Sequence, residues 1–125
     1  MSDHELWYHG SPTELTVLQR GSTITQWRDL ARVFSHKPGV VSVSDDRQIR
    51  HNGTRPGYLY VIDESVNPND VRPHPRTTMA PGDEWLTNRE LRLRRIAKTT
   101  VRPEEFLSYE EIEALRARAD DVGST

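Results

Sequence analysis

Three short stretches of this 125-residue chain carry side chains suited to holding a flat, polar ligand. Tyr8-His9-Gly10-Ser11 closes an aromatic run, Phe34-Ser35 joins a ring to a hydroxyl, and Asp83-Glu84-Trp85 ends a proline-rich loop. Each reads as a small polar group delivered at the end of a strand. Glycine after His9 lets a planar group approach the backbone, where one amide and one carbonyl match the two sides of a carboxamide. A lone carboxylate such as Glu84 can accept from a sugar hydroxyl and stabilise positive charge developing beside it.

Each of these residues also has a plainer reading. Taken singly, His9 is a surface histidine, Phe34 a core side chain and Glu84 a charged strand edge; only together do they describe a site. Asp70, after Pro68-Asn69, reads as a turn residue. His36, His51 and His74 are irregularly spaced with no i, i+4 pair among them, so no metal site is expected. No Gly-x-Ser-x-Gly surrounds Ser11, Ser35 or Ser44, which removes the nucleophile elbow of a serine hydrolase. The absence of cysteine removes disulfides, thiolate metal sites and a thiol nucleophile together. Residues 86–103 hold Arg89, Arg92, Arg94, Arg95, Lys98 and Arg102 against Glu90 alone. That stretch can meet phosphates, or form a solvated strand face balanced by an acidic helix near the end of the chain, which is the simpler account.

The three stretches resemble motifs of the ADP-ribosyltransferase superfamily, in its diphtheria-toxin-like and PARP-like branch. Leu6-Trp7-Tyr8-His9-Gly10-Ser11 is similar to the first motif, an apolar strand ending in His-Gly-Ser or His-Gly-Thr. The resemblance implies that His9 bonds the adenosine ribose of NAD and that Gly10 holds the nicotinamide carboxamide through its backbone, with Ser11 beside it. Val33-Phe34-Ser35 aligns with the second motif, where the family usually has a tyrosine stacked on nicotinamide before Ser or Thr. Phe34 keeps the ring face and lacks the phenol. Asp83-Glu84-Trp85-Leu86 is similar to the third motif, which makes Glu84 the carboxylate on the nicotinamide ribose. The layout also resembles the small rifamycin ADP-ribosyltransferases, whose acidic residue follows the central strand more closely and makes Asp70 the reserve. Gly82, two before Glu84, departs from the Glu or Gln of the arginine-modifying toxins.

The elements that must position these residues are short. Leu6 to Tyr8 reads as a strand stopping in a turn at His9 to Pro12, Ile24 to Ala31 has a faint helical period, and Val33 to Ser35 reads as a second strand. Val40 to Val43 fits helix or strand. Asn52 to Gly57 is a loop, and Tyr58 to Ile62, β-branched and aromatic, is a strand buried on both faces. Four prolines between Asn67 and Gly82 argue for an irregular loop, one shaped to read an acceptor. Glu84 to Thr87 is extended; Leu91 and Leu93 alternate with arginines, and a strand over Ile96 to Val101 follows after a bulge. Ser108-Tyr109-Glu110-Glu111 is a capping box opening a helix with Ile112, Leu115 and Ala119 on one face. The last residues, from Asp120 or as early as Arg116, read as a frayed tail.

Only 34% of the residues are apolar, so the core must be small, with the three tryptophans, two phenylalanines and four tyrosines filling much of it. A net charge of −2 gives no global pull toward nucleic acid. No apolar run is long enough to cross a bilayer, and the acidic start, Met-Ser-Asp-His-Glu, is unlike a secretory signal. The expectation is one α+β domain over 1–125, soluble and cytoplasmic, with two small antiparallel sheets around an NAD cleft and a helix near the end of the chain. The resemblance implies a toxin-like mono-ADP-ribosyltransferase releasing nicotinamide, with the acceptor unidentified. An RNA 2′-phosphotransferase-like enzyme and a non-catalytic nucleotide- or protein-binding relative are the alternatives.

Overall fold

A computed structural model of the chain describes residues 6–123, with side chains to residue 117. Its elements in order are β1 (Tyr8–Ser11), β2 (Val17–Leu18), β3 (Thr23–Ile24), α1 (Arg28–Phe34), β4 (Val41–Val43), β5 (Ile49–His51), β6 (Gly57–Ile62), β7 (Val71–Pro73), β8 (Trp85–Thr87), β9 (Leu91–Thr99) and α2 (Tyr109–Gly123). All the strand pairs are antiparallel. One sheet runs β1-β6-β9-β2, a second β3-β8-β7, and β4 and β5 form a separate ribbon. The protein is a small α+β domain; the ribbon is an addition to the two sheets expected.

β6 is central because its sequence can be buried on both sides: Leu59, Tyr60, Val61 and Ile62 are all buried. Its long partner β9 is a single strand where two were expected. The bulge is present, since Leu59 faces Ala97 while Tyr60 faces Arg95, leaving Ile96 unpaired. Near the end of the chain, Ser108 and Glu111 cap α2 reciprocally: the Glu111 amide donates to Ser108 Oγ at 3.1 Å, and the Ser108 amide to Glu111 Oε1 at 3.0 Å. The helix is described to Gly123, and the last two residues of the expected frayed tail lie outside the described ones.

Several sequence expectations are corrected. The first strand does not stop at His9 but runs through His9, Gly10 and Ser11, because all three pair with β6. Val33-Phe34-Ser35 is no strand; Val33 and Phe34 end α1 and Ser35 caps it. The helix lies four residues later than the faint period over Ile24 to Ala31, since Thr23–Ile24 is taken by β3. Val41–Val43 is a strand. The proline-rich segment is not wholly irregular: Pro68–Asp70 makes a 3-10 turn and Val71–Pro73 pairs with β8 at the sheet edge, where proline costs no ladder bond.

The core is aliphatic rather than aromatic. One cluster joins Leu18, Ile24, Ile62 and Leu91, with Trp7 and Trp85 packed against it. The other joins Leu30 and Val33 of α1 to Ile49 of β5, with Trp27 and Phe34 at its margin. Among the described tryptophans, tyrosines and phenylalanines, Tyr60 alone is fully buried, while Phe106 and Tyr109 are exposed. Among the described residues no helix is long and apolar enough to cross a membrane.

Candidate functional site

β3, only two residues long, aligns the two halves of the site. Ile24 pairs with Trp85 of β8, and Thr25 just beyond β3 exchanges both backbone bonds with Tyr8, at 2.7 and 3.0 Å. Trp7 meets Trp85 edge to face at 5.9 Å between ring centres, a second tie between the start of β1 and the start of β8. His9 and Glu84, 75 positions apart in sequence, are thereby brought to the same cleft.

That cleft has a volume of about 440 Å³ and is walled by β1 on one side and α1 on another. His9, Gly10, Phe34 and Glu84 all line it, together with Thr23, Thr25 and Lys37. The strand's alternation decides which way its backbone points. Trp7 accepts from the Ile62 amide on the β6 side, whereas Tyr8 bonds Thr25 on the other. Gly10, in step with Tyr8, therefore turns its own amide and carbonyl to the same free edge of β1.

His9 Nδ1 sits 2.6 Å from the Thr23 carbonyl and so carries the proton it donates. Burial lowers the pKa of the ring below the ordinary histidine value, with the Thr23 bond opposing it, which keeps the ring neutral and leaves Nε2 an acceptor. Glu84 Oε1 accepts from Thr77 Oγ1 at 2.6 Å, and the Glu84 carbonyl accepts from the His74 amide at 3.1 Å. The proline-rich segment thus holds the carboxylate by one oxygen and by its backbone.

The remaining candidates do not join them. Ser11 is buried, its hydroxyl turned to Thr13. Ser35 is inaccessible, its hydroxyl bonded to Thr99 Oγ1 at 2.6 Å and to the Arg32 carbonyl. Asp70 lies outside the cleft: it receives Arg89 through both oxygens, at 2.9 and 3.2 Å, and caps the Asn67 amide at 2.9 Å. The Arg89 bonds, with the Asn67 amide adding, hold its carboxyl below the usual range.

Lys37 also lines the cleft, and the sequence does not single it out. It is exposed, takes the left-handed conformation at φ 53°, has no ionic partner among the described residues, and is the one cation in the cleft wall. The Lys-Pro-Gly sequence marks a break without showing where the ammonium lies. No group of three or more metal-ligating side chains occurs among the described residues. No family model, curated protein or solved structure matches the chain.

Proposed function

We propose that the cleft binds NAD and that the protein is a mono-ADP-ribosyltransferase. The observation that carries this reading is the convergence of His9, Gly10, Phe34 and Glu84, from three separate stretches of sequence, on one cleft. In this reading His9 Nε2 accepts from a ribose hydroxyl, and the free-edge amide and carbonyl of Gly10 hold the nicotinamide carboxamide. Phe34 stacks on the nicotinamide ring, and the Lys37 ammonium faces the pyrophosphate. Glu84 Oε2, with no bond to Thr77, accepts from the nicotinamide ribose and stabilises positive charge on its anomeric carbon.

The bond between that carbon and the nicotinamide nitrogen breaks, and nicotinamide departs neutral with the electron pair. The acceptor's oxygen or nitrogen then bonds to the anomeric carbon and gives up its proton to solvent. Positioning and charge placement supply the acceleration, with no protein nucleophile. Thr77 belongs to the segment that would face the acceptor, so acceptor binding and the orientation of Glu84 are coupled through one hydrogen bond.

The test compares nicotinamide release from NAD, with water and with candidate acceptors, for the wild type and Glu84→Ala. Loss on the order of a hundredfold is expected for removing a group that meets developing charge. Unchanged release would remove Glu84 from the chemistry. NAD binding without release in the wild type would favour a nucleotide-binding module, the reading supported by a phenylalanine at position 34.

A further inference from the structure

The β4–β5 ribbon reaches toward Glu84 through one side chain. Its strands are joined through Asp45, Asp46 and Arg47, with the Ser44 amide donating to the Gln48 carbonyl at 3.0 Å and the Arg47 amide to the Ser44 carbonyl at 2.9 Å. A hairpin loop of this kind puts its last residue in the left-handed region, which glycine occupies without strain. Arg47 holds that place at φ 67°. Such a conformation is costly for any side chain but glycine's, and it points to a role for the one that is there.

The Arg47 guanidinium lies over the Trp27 ring, 3.7 Å from its centre, and 3.7 Å from Asp83 Oδ1. Trp27 immediately precedes α1, and Asp83 immediately precedes Glu84. The Asp83 side chain is only 13% exposed, and its carboxylate has no other ionic or hydrogen-bonding partner among the described residues. The segment ending here is a loop closed on itself, because the His74 amide meets the Glu84 carbonyl at its neck. Inside it the Met79 amide donates to Thr77 Oγ1 at 3.0 Å and the Asp83 amide to the Ala80 carbonyl at 3.1 Å. Met79 packs on the cluster of Leu30, Val33 and Ile49. A cavity of about 350 Å³ between loop and ribbon leaves the rest of that contact incomplete, with Arg47 as the ionic tie across it.

We infer, on the reading of Glu84 given above, that Arg47 is a positioning residue: it latches the 74–84 loop by Asp83 against the start of α1 and so fixes the carboxylate in the cleft. Thr77, the partner of Glu84 Oε1, belongs to the same loop. The latch therefore acts on Glu84 twice, through the chain at Asp83 and through that hydrogen bond. Arg47 does not line the cleft, so it sets the carboxylate without touching the dinucleotide.

Arg47→Gly removes the latch while suiting the backbone of the turn, so a role confined to the turn predicts no loss. Amide hydrogen exchange, which needs no NAD, should quicken at Met79 and Asp83 by about 3- to 30-fold in Arg47→Gly, the worth of the ring contact and the ion pair together. Asp83→Asn, which cuts the ion pair alone, should quicken it by up to about 5-fold, and the amides of β6 should keep their wild-type rates in both variants. Nicotinamide release by Arg47→Gly should lose about 10- to 100-fold in kcat with KM for NAD unaltered, the cost of a carboxylate misplaced by up to about 1 Å. Arg47→Lys, which keeps the charge, should recover part of that loss. Wild-type exchange at Met79 and Asp83 in Arg47→Gly overturns the latch, as does quickening spread equally over β6. An unchanged kcat, or a loss carried by KM instead, overturns the positioning role. A wild type that releases no nicotinamide refutes the reading of the cleft, and the positioning role with it, while quickened exchange in the same preparation still establishes the latch.

Discussion

A Cβ on Gly10 would overlap the carbonyl oxygen of Ala31 and crowd the amide of Ser35. Both are backbone atoms of α1 and its cap, so neither can swing aside as a side chain would. Gly10→Ala is expected to lower stability by about 1–3 kcal/mol, the usual cost of overpacking, measured by urea unfolding. An unchanged midpoint would mean that α1 does not approach β1 so closely. The sequence singles out the same glycine for access by a ligand; its second duty, admitting a helix, depends on a partner at positions 31 to 35 that no local motif announces. His9 and Glu84 are legible because their types and neighbours are chemically specific. Ser11 and Ser35 are not separable from them in sequence, since strand alternation and the helix cap, rather than residue type, turn both hydroxyls away from the cleft. Lys37 escapes notice because a positive φ outside glycine leaves little trace in sequence.

At the scale of elements, the junction of α1, β5 and the loop before β6 rests on two histidines that no motif accounts for. His36 and His51 are fully buried and stacked, 5.5 Å between ring centres and 12° from parallel. His36 Nδ1 donates to the Arg55 carbonyl at 2.6 Å, and His51 Nδ1 accepts from the Gly53 amide at 3.0 Å. Their Nε2 atoms have no hydrogen-bond partner among the described residues; that of His51 is 3.5 Å from Glu105. Burial lowers both pKa values, and the charge of Arg32 lowers them further, against the pull of the Arg55 carbonyl on His36 and of Glu105 on both. Above the ordinary histidine value of about 6.5 the rings are neutral in the folded and unfolded chain alike. Below it the unfolded chain takes up protons that the folded one refuses, so stability falls with pH, by up to about 1.4 kcal/mol per unit for each ring. Urea unfolding between about pH 7.5 and 5 should show this decline, with His9 adding in the same direction. Carboxylates held low, such as Glu111 at about 2, lose their contribution only in stronger acid. A flat profile over that range would show that the stack accepts protons without loss. Here too legibility follows physics: the capping box and β6 declare themselves locally, whereas α1, only seven residues with β-branched and aromatic side chains at its end, is stabilised by packing on β1 and β5.

For the whole molecule, the low apolar content is a sound guide to a small α+β fold and a poor guide to what fills it. Beside two modest aliphatic clusters the interior holds buried polar groups: Ser35 with Thr99, the histidine stack, and the bidentate pair of Arg32 with Glu105. The serine–threonine and arginine–glutamate partners are 64 and 73 positions apart, and nothing in residue type or spacing couples them. Arg32 and Glu105 tie α1 to the 3-10 turn before α2, with both side chains only 10% exposed. Burying two charges costs about as much as their attraction returns, so the pair's net worth is small while either partner alone is a liability. Glu105→Leu should therefore lower stability by about 3–5 kcal/mol, because it strands the Arg32 guanidinium with Asp29 as its sole remaining anion. Arg32→Met/Glu105→Leu should recover most of that loss, since two apolar side chains of similar volume replace both charges at once. Urea unfolding of the two variants beside the wild type reads the difference directly. A single variant that loses under about 1 kcal/mol would place the pair with ordinary surface ion pairs. A double variant no better than the single would show that the guanidinium's hydrogen bonds, and not the desolvation of an unpaired charge, hold α1 to the end of the chain.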